Sequence, residues 1–184
     1  MLHHPAYRTK YAENLKRELP RIPLLADAAA FRVLADTGAK LAELHLNYES
    51  APEHRLRWVE NKDLPFSWRV QKMKLSPDKT ALKVNESLTL EGIPPEALQY
   101  RLGKGSALEW IVDQYQVKTD ARSGLVSDPN REGEGENNEE YIVRLVGRVV
   151  TVSVQTVALV EELKTISLSA DSESPSAVFP ETQS

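Results

Sequence analysis

The residues with the clearest chemical potential lie between Gly103 and Glu109. Gly103-Lys104-Gly105 joins two flexible backbone positions to a cation, and it precedes a predicted helix whose free N–H groups can hold a phosphate. Ser106 and Glu109 have the spacing of a capping box, in which each side chain bonds the other residue's backbone N–H. This spacing favours a structural Ser106 over a nucleophile, because no histidine lies near it in the sequence. For Gly103-Lys104-Gly105 a tight turn is favoured over a phosphate site, because the spacing differs from that of a nucleotide-binding loop.

The spacing of the other potentially catalytic residues does not match that of a known catalytic or metal site. Asp78, after a proline, and Glu162-Leu163-Lys164 resemble parts of a metal-dependent nuclease, but the gap between them is too long for the usual sheet. No Asp/Asn-Pro-Pro-aromatic motif of amino-methyltransferases occurs. The histidines lack metal-ligand spacing, and His45 falls on the apolar face of a predicted helix, where a structural role is favoured. The sequence therefore predicts no catalytic, metal-binding or cofactor-binding residue.

The elements that position these residues begin with two helices. Apolar residues at a spacing of four predict an amphipathic helix over residues 7–19, ended by Pro20. Asp27 is a suitable N-cap for a second helix that continues to Tyr48. Residues 50–67 are rich in Pro, Glu, Arg and Asn, which indicates a loop.

A small antiparallel sheet is predicted in the middle of the chain. Strands are expected over residues 69–75, 82–84 and 88–90, because apolar and polar residues alternate there between turn residues. Pro95 is suited to open a short helix that continues through Tyr100.

The C-terminal half is predicted to be mainly helical. Apolar residues at helical spacing follow Ser106, and the segment from Tyr141 to Leu163 favours a helix because of its length, despite many β-branched residues. Between the two, residues 131–139 are predicted to form an acidic, glycine-rich loop. Residues 164–184, rich in Ser, Glu and Pro, are predicted to form a disordered tail.

Together these elements predict an α+β fold in one domain over residues 1–163. A helical N-terminal part, a small antiparallel sheet in the middle and helices in the C-terminal half are expected before the disordered tail. The predicted divisions are helical 5–48, loop 49–67, strands 68–91 and helical 94–163, with the acidic loop 131–139 inside the last.

Composition excludes some functional classes. The 184 residues carry no cysteine, so disulfides and thiolate metal sites are excluded, and a cytoplasmic location is expected. Arg144 and Arg148 interrupt the most apolar segment, so no membrane span is predicted. The net charge is -4, but Lys and Arg outnumber Asp and Glu over residues 1–77 and the reverse holds over residues 131–184. This asymmetry permits a basic face, although an imbalance of this size often has no function.

Two stretches resemble a known protein family. The first is residues 7–23, Tyr-Arg-Thr-Lys-Tyr-Ala-Glu-Asn-Leu-Lys-Arg-Glu-Leu-Pro-Arg-Ile-Pro. The second runs from Gly92-Ile93-Pro94-Pro95-Glu96-Ala97 through Ser106–Tyr115 and Ser123-Gly124 to Asp128-Pro129-Asn130. Both resemble the C-terminal specificity domain of Type ISP restriction–modification enzymes. The resemblance covers about residues 3–163 and is weakest in the loop at 50–67 and in the tail.

The resemblance implies a function in recognising a DNA target. Type ISP enzymes are single-chain bacterial proteins that join a nuclease, a helicase-like ATPase, an adenine methyltransferase and a target-recognition part. The implied partners are double-stranded DNA and the methyltransferase and helicase domains of the same system. Family members continue upstream of Leu2, so the chain is expected to be a C-terminal fragment or a split gene product, without catalytic activity of its own.

Two hypotheses follow for what the domain contacts. In the first, side chains read base edges in the major groove, while Lys and Arg contact phosphates. From charge and position, the candidate phosphate contacts are Lys10, Arg17, Arg21, Lys72, Lys74 and Lys104. In the second, the chain is a docking segment that packs on a methyltransferase or coupler domain through its Val146–Val160 face.

Overall fold

In the computed structural model, residues 1–23, 25, 27–131 and 140–168 are described, and they surround one long helix. The described α-helices are α1 (Pro5–Lys10), α2 (Ala28–Leu46), α3 (Ala107–Gln114) and α4 (Tyr141–Leu163). The described strands are β1 (Arg57–Glu60), β2 (Lys74–Leu75), β3 (Ala81–Lys83), β4 (Leu88–Glu91), β5 (Arg101–Leu102), β6 (Gly105–Ser106), β7 (Lys118–Thr119) and β8 (Val126–Ser127). Short 3₁₀ helices cover Asn14–Lys16, Tyr48–Ser50, Pro95–Leu98 and Pro129–Arg131. The predicted α+β class is confirmed.

Helix α4 is the centre of the hydrophobic core. Its residues Ile142, Leu145 and Val150 are buried in one cluster with Leu90 of β4 and Leu108 of α3. Burial on this scale outweighs the small helix penalty of β-branched residues, so the apolar segment forms the predicted helix. Among the described helices, α4 alone is long and apolar enough to cross a membrane, and 61% of that stretch is buried inside the protein.

The two arginines that interrupt the apolar pattern of α4 have acidic partners. Arg144 lies 2.6 Å from a carboxylate oxygen of Glu140 and 3.1 Å from Oε1 of Glu53, and Arg148 lies 3.9 Å from the same Glu53 oxygen. The backbone N–H of His54 donates to the carbonyl of Gly147 over 3.0 Å. The segment before β1 therefore crosses α4 at Gly147, and its Glu53, together with Glu140 at the start of the helix, balances the two arginines.

The sheet is antiparallel, with strand order β1-β4-β3-β2. In β4, Leu88 and Leu90 are buried and the residues that alternate with them are partly exposed, which is the period of two expected for a half-buried strand. The predicted loop at 49–67 is wrong over β1, which pairs with β4. Three of the four β1 residues are exposed at the edge of the sheet, so the strand lacks the apolar alternation that would identify it. The strand predicted over residues 69–75 is limited to β2.

The predicted helix over residues 7–19 is wrong beyond Lys10, where α1 ends. The chain folds back so that the Tyr7 hydroxyl donates to the carbonyl of Arg21 over 2.8 Å. A continuous helix would hold those two residues about 20 Å apart. The second helix is confirmed as α2, and the Asp27 carboxylate accepts from the N–H of Ala29 over 2.8 Å as its predicted N-cap.

The region predicted as helical over residues 94–163 also contains two hairpins, one on each side of α3. Strands β5 and β6 pair with each other, as do β7 and β8. Gly103 and Gly124 have φ values of 67° and 69° in the two turns, a conformation that favours glycine. A right-handed helix cannot contain residues with these φ values, so the helical prediction is wrong over both hairpins. The short helix predicted from Pro95 is a 3₁₀ helix that ends at Leu98.

The start of the chain packs against the end of α4. His4 is buried, and its Nε2 lies 3.0 Å from the carbonyl oxygen of Ile166. Residues 164–168, predicted as the first part of the tail, are described and begin with a turn. The remainder of the predicted disordered tail, 169–184, and residues 132–139 of the predicted acidic loop lie outside the described residues.

Candidate nucleic-acid interface

The start of α3 contains the predicted capping box. The Ser106 hydroxyl accepts from the Glu109 N–H over 3.2 Å, and Glu109 Oε2 accepts from the Ser106 N–H over 2.8 Å. A cap of this type contributes about 1 kcal/mol to stability. Ser106 is fully buried and is occupied by these bonds, which explains it as a structural residue.

A carboxylate already occupies the position at which a phosphate would dock on α3. Glu109 Oε1 accepts from the Lys79 ammonium over 2.7 Å, while Oε2 accepts from the Ser106 N–H at the helix start over 2.8 Å. The hydrogen bond from Lys79, followed by that from the Ser106 backbone, lowers the pKa of Glu109 to about 2. Because this anion is present at neutral pH, Gly103-Lys104-Gly105 is better explained as the β5–β6 turn than as a phosphate loop.

Lys104 itself lies exposed in the β5–β6 turn. The Arg101 guanidinium donates to the Lys104 carbonyl and so stabilises the turn. Among the described residues the Lys104 ammonium has no acidic partner, so it is free to contact an external anion.

Three predicted phosphate contacts lie in the N-terminal segment. Lys10 ends α1, Arg17 follows the first 3₁₀ helix, and Arg21 follows in extended chain; all three are exposed. The Arg21 guanidinium is 3.8 Å from a Glu18 oxygen, and the Lys10 ammonium lies 5.4 Å from the centre of the Tyr11 ring. The bond from Tyr7 to the Arg21 carbonyl holds the two ends of this segment together.

Lys74 lies in β2, an edge strand of the four-stranded sheet, and Lys72 lies just before it. Both are exposed, and among the described residues neither makes an ion pair. Lys74 is directly opposite Lys83, whose charge is balanced by Glu86 at 2.7 Å. Lys83, with a smaller contribution from Lys74, lowers the pKa of Glu86. The six predicted cations thus lie on three elements: the N-terminal segment, the β2 edge and the β5–β6 turn.

The sequence did not lead us to the β7–β8 hairpin, which carries two further exposed cations, Lys118 and Arg122. Turn residues between apolar flanks, with Asp120 at the start and Gly124 near the end, were the available signal. A cleft of about 510 Å³ was missed as well. Its lining includes Arg8 of α1 and Arg101 of β5 together with one acid, Glu161 of α4.

His45 is held as a structural residue. Its ring stacks on Tyr100 with centres 5.3 Å apart, and its Nε2 lies 2.9 Å from the hydroxyl oxygen of Thr156. Burial lowers the pKa of His45, which favours the neutral ring at physiological pH. Within the described part of the chain no group of three or more His, Asp or Glu side chains could hold a metal ion.

An apolar groove of about 290 Å³ lies beside His45, between α2, α3 and α4. Leu102 and Trp110 line it and are 46% and 50% exposed. Large apolar side chains that are half-exposed in one groove indicate a surface for another chain or another segment.

The helix-centred fold and the exposed basic elements are those of an α+β binding domain. Residues 1–145 match the Type ISP C-terminal specificity domain, and the chain belongs to this family. The resemblance found in the sequence is thereby confirmed.

Three solved structures are similar to the chain, and in each case the likeness covers 88% of it. The first is a nuclease-deletion mutant of the Type ISP restriction-modification enzyme LlaGI in complex with a DNA substrate mimic, with 42% identity and a TM-score of 0.76. The second is the ATP-dependent Type ISP restriction-modification enzyme LlaBIII bound to DNA, with 36% identity and a TM-score of 0.76. The third is a DrdV–DNA complex, with 34% identity and a TM-score of 0.68.

The likeness covers 13%, 10% and 17% of the LlaGI, LlaBIII and DrdV chains. The chain therefore spans a small part of the length of each relative. A comparison with curated protein sequences gave no significant match.

Proposed function

We propose that this chain is the DNA target-recognition module of a Type ISP restriction–modification system. The observation that carries the proposal is that three relatives, at 34–42% identity over 88% of the chain, have been solved with DNA or a DNA mimic. In this proposal the module selects the target, and methylation and cleavage are carried out by other domains. The partners are double-stranded DNA and the methyltransferase and helicase domains of the same system, in a bacterial cytoplasm.

In this proposal Lys10, Arg17, Arg21, Lys72, Lys74 and Lys104 contact phosphates. Their exposure supports the assignment, and among the described residues only Arg21 of the six has a carboxylate within 4.0 Å, that of Glu18 at 3.8 Å. Phosphate contacts fix the register of a protein on the duplex without specifying its sequence. Cations that are not committed to ion pairs within the domain can bind phosphate without first breaking an internal contact.

Replacing the six cations by alanine is expected to weaken duplex binding and to flatten its dependence on salt. Each phosphate contact contributes about 0.9 to the slope of log affinity against log salt, so the slope should fall by roughly five. The measurement is fluorescence anisotropy with a labelled duplex across a salt series. Single variants should each remove about one unit of slope.

Lys16→Ala is the matched control, because Lys16 lies beside Arg17 but already pairs with Glu13 at 2.6 Å. It should leave the slope close to that of the wild type. A wild-type affinity that does not depend on salt would contradict the proposal, as would a lack of duplex binding even when the partner domains are supplied.

The second candidate is a docking segment, and the apolar groove at Trp110 favours it. The proposed occupant is another part of the same enzyme, because the domain accounts for only 10–17% of its three relatives. The Val146–Val160 face suggested by the sequence is largely unsuited to this role, since Val146 and Val150 are fully buried within the domain itself.

Trp110→Ser is expected to reduce co-purification with the methyltransferase and helicase domains if the groove is a docking surface. Trp110 is half-exposed, so the substitution should leave the fold intact. Leu46→Ala, at an exposed position outside the groove lining, is the control. Gel filtration of the co-expressed domains makes the measurement, and equal recovery with wild type and Trp110→Ser would exclude the groove.

A further inference from the structure

The β7–β8 hairpin forms a ribbon with both faces exposed. Lys118 is opposite Ser127 and Thr119 is opposite Val126, and all four residues are exposed. Directly opposite residues share a face and successive residues alternate, so Lys118 and Ser127 lie on one face while Thr119 and Val126 lie on the other. Exposure on both faces leaves the ribbon's side chains accessible to an external partner.

The exposed turn of the ribbon is closed by hydrogen bonds to Asp120. One Asp120 carboxylate oxygen accepts from the N–H groups of Arg122 and Ser123 over 3.0 and 2.7 Å, and from the Ser123 hydroxyl over 2.9 Å. The Asp120 N–H donates to the Leu125 carbonyl and the Gly124 N–H donates to the Asp120 carbonyl, both over 2.9 Å. These bonds hold the Asp120 carboxylate within the turn, with Arg122 in the turn and Leu125 opposite Asp120 where the turn meets β8.

The base of the ribbon is anchored to the core. The Val117 N–H donates to the Gln71 carbonyl over 2.9 Å, and Arg69 pairs with Asp128 at 2.6 Å. Lys72 and Lys118 each adjoin one end of the Val117–Gln71 hydrogen bond in sequence. Two exposed cations therefore flank the point at which the ribbon leaves the domain.

The exposed side chains of the ribbon combine cations with apolar groups. Leu125 is 73% exposed and Val126 is 61% exposed, which leaves two large apolar side chains in solvent. Lys118 and Arg122 lie on the same hairpin, and Asp120 is its one acid between residues 117 and 127. The DNA major groove admits a two-stranded β-ribbon, offers thymine methyl groups for apolar contact and is bordered by phosphates.

We propose that this ribbon enters the major groove of duplex DNA, where Leu125 contacts a thymine methyl group while Lys118, on the same face of the ribbon, and Arg122 in the turn bind phosphates or base edges. The assignment rests on the proposed target-recognition function and deepens it by identifying the element that reads bases. The six cations described above then fix the register of the duplex, and the ribbon supplies sequence preference.

The test uses the full chain and a duplex selected by it from a pool with a randomised centre. Replacing each thymine of the selected duplex by uracil removes only the methyl group. A buried methyl is worth about a four-fold change in affinity, so at least one uracil position should weaken wild-type binding by about that factor. The Leu125→Ala/Val126→Ala variant should bind the thymine and uracil duplexes with equal affinity. The ratio of its affinities for the selected and the scrambled duplex should be lower than that of the wild type by about ten-fold or more.

Leu46→Ala is the control, because Leu46 is similarly exposed, at 79%, on α2. It should retain both the preference and the uracil sensitivity, and melting curves should show that both proteins remain folded. Retention of the sequence preference by the double variant overturns the ribbon assignment, as does equal wild-type affinity for thymine and uracil duplexes. Salt-dependent binding without any sequence preference overturns the ribbon and leaves the phosphate contacts standing, whereas no duplex binding by the wild type overturns the proposed function and the ribbon with it.

Discussion

Leu145→Ala is expected to lower the free energy of unfolding by about 2–5 kcal/mol. Leu145 is fully buried in α4 and belongs to the cluster that joins this helix to the sheet and to α3. The substitution removes apolar contacts and leaves a cavity, because a close-packed core relaxes only in part. Urea denaturation monitored by circular dichroism and tryptophan fluorescence makes the measurement.

Leu46→Ala is the matched control for this prediction, since it makes the same chemical change at an exposed position. Its effect should lie within about 0.5 kcal/mol of zero. An equally small effect of Leu145→Ala would mean that α4 is not the core of the domain. The docking hypothesis would then regain the helix face that the structure assigns to internal packing.

The same measurement separates a role in folding from a role in assembly. Substitution in a face used only for docking leaves the stability of the isolated domain unchanged but weakens binding to the partner domain. A face buried in the domain loses stability whether or not a partner is present. With Val146 and Val150 fully buried, we expect the second behaviour over most of α4. A docking surface is therefore to be sought at the groove beside Trp110.

The sequence was most informative where a local rule and the tertiary structure agree. The N-cap at Asp27, the capping box at Ser106 and the long helix α4 were all predicted, because each depends on side chains a few residues apart or on a long apolar pattern. In β4, alternation alone identified the strand, since one face is buried against the core.

The predictions failed where a distant contact decides the local conformation. The first helix ends at Lys10, and the carbonyl that bonds the Tyr7 hydroxyl is fourteen residues away, at Arg21. Strand β1 was missed because its partner β4 lies about thirty residues further along the chain and its own side chains are mostly exposed. No pattern within a short window contains such information.

The candidate interface was predictable only in part for a related reason. Charge and position suggested cations such as Lys10 and Lys104, and the structure shows them exposed. The ribbon was missed because contacts between residues about fifty to sixty positions apart hold its base, namely Gln71 with Val117 and Arg69 with Asp128, and a side chain near them bonds the Val70 backbone. That side chain belongs to Asn130, in a segment that the sequence identified only by resemblance.

Asn130→Ala is expected to lower the free energy of unfolding by about 2–4 kcal/mol and to loosen the ribbon. The Asn130 side chain accepts from the N–H of Val70 over 2.7 Å and donates to the carbonyl of the same residue over 2.8 Å. Val70 is fully buried, so the substitution leaves two backbone groups without partners and away from water. Each such group costs about 1–3 kcal/mol.

The control for Asn130→Ala is Asn47→Ala, which removes an exposed hydrogen bond to Glu43 and should cost about 0.5 kcal/mol or less. Hydrogen exchange should show faster exchange at the Val70 and Val117 amides in Asn130→Ala alone, because both belong to the joint between ribbon and core. Unchanged exchange would show that Arg69 and Asp128 hold the joint without Asn130. With faster exchange, the variant should also bind its selected duplex with reduced sequence preference, since an element that reads bases must be held in position by its support.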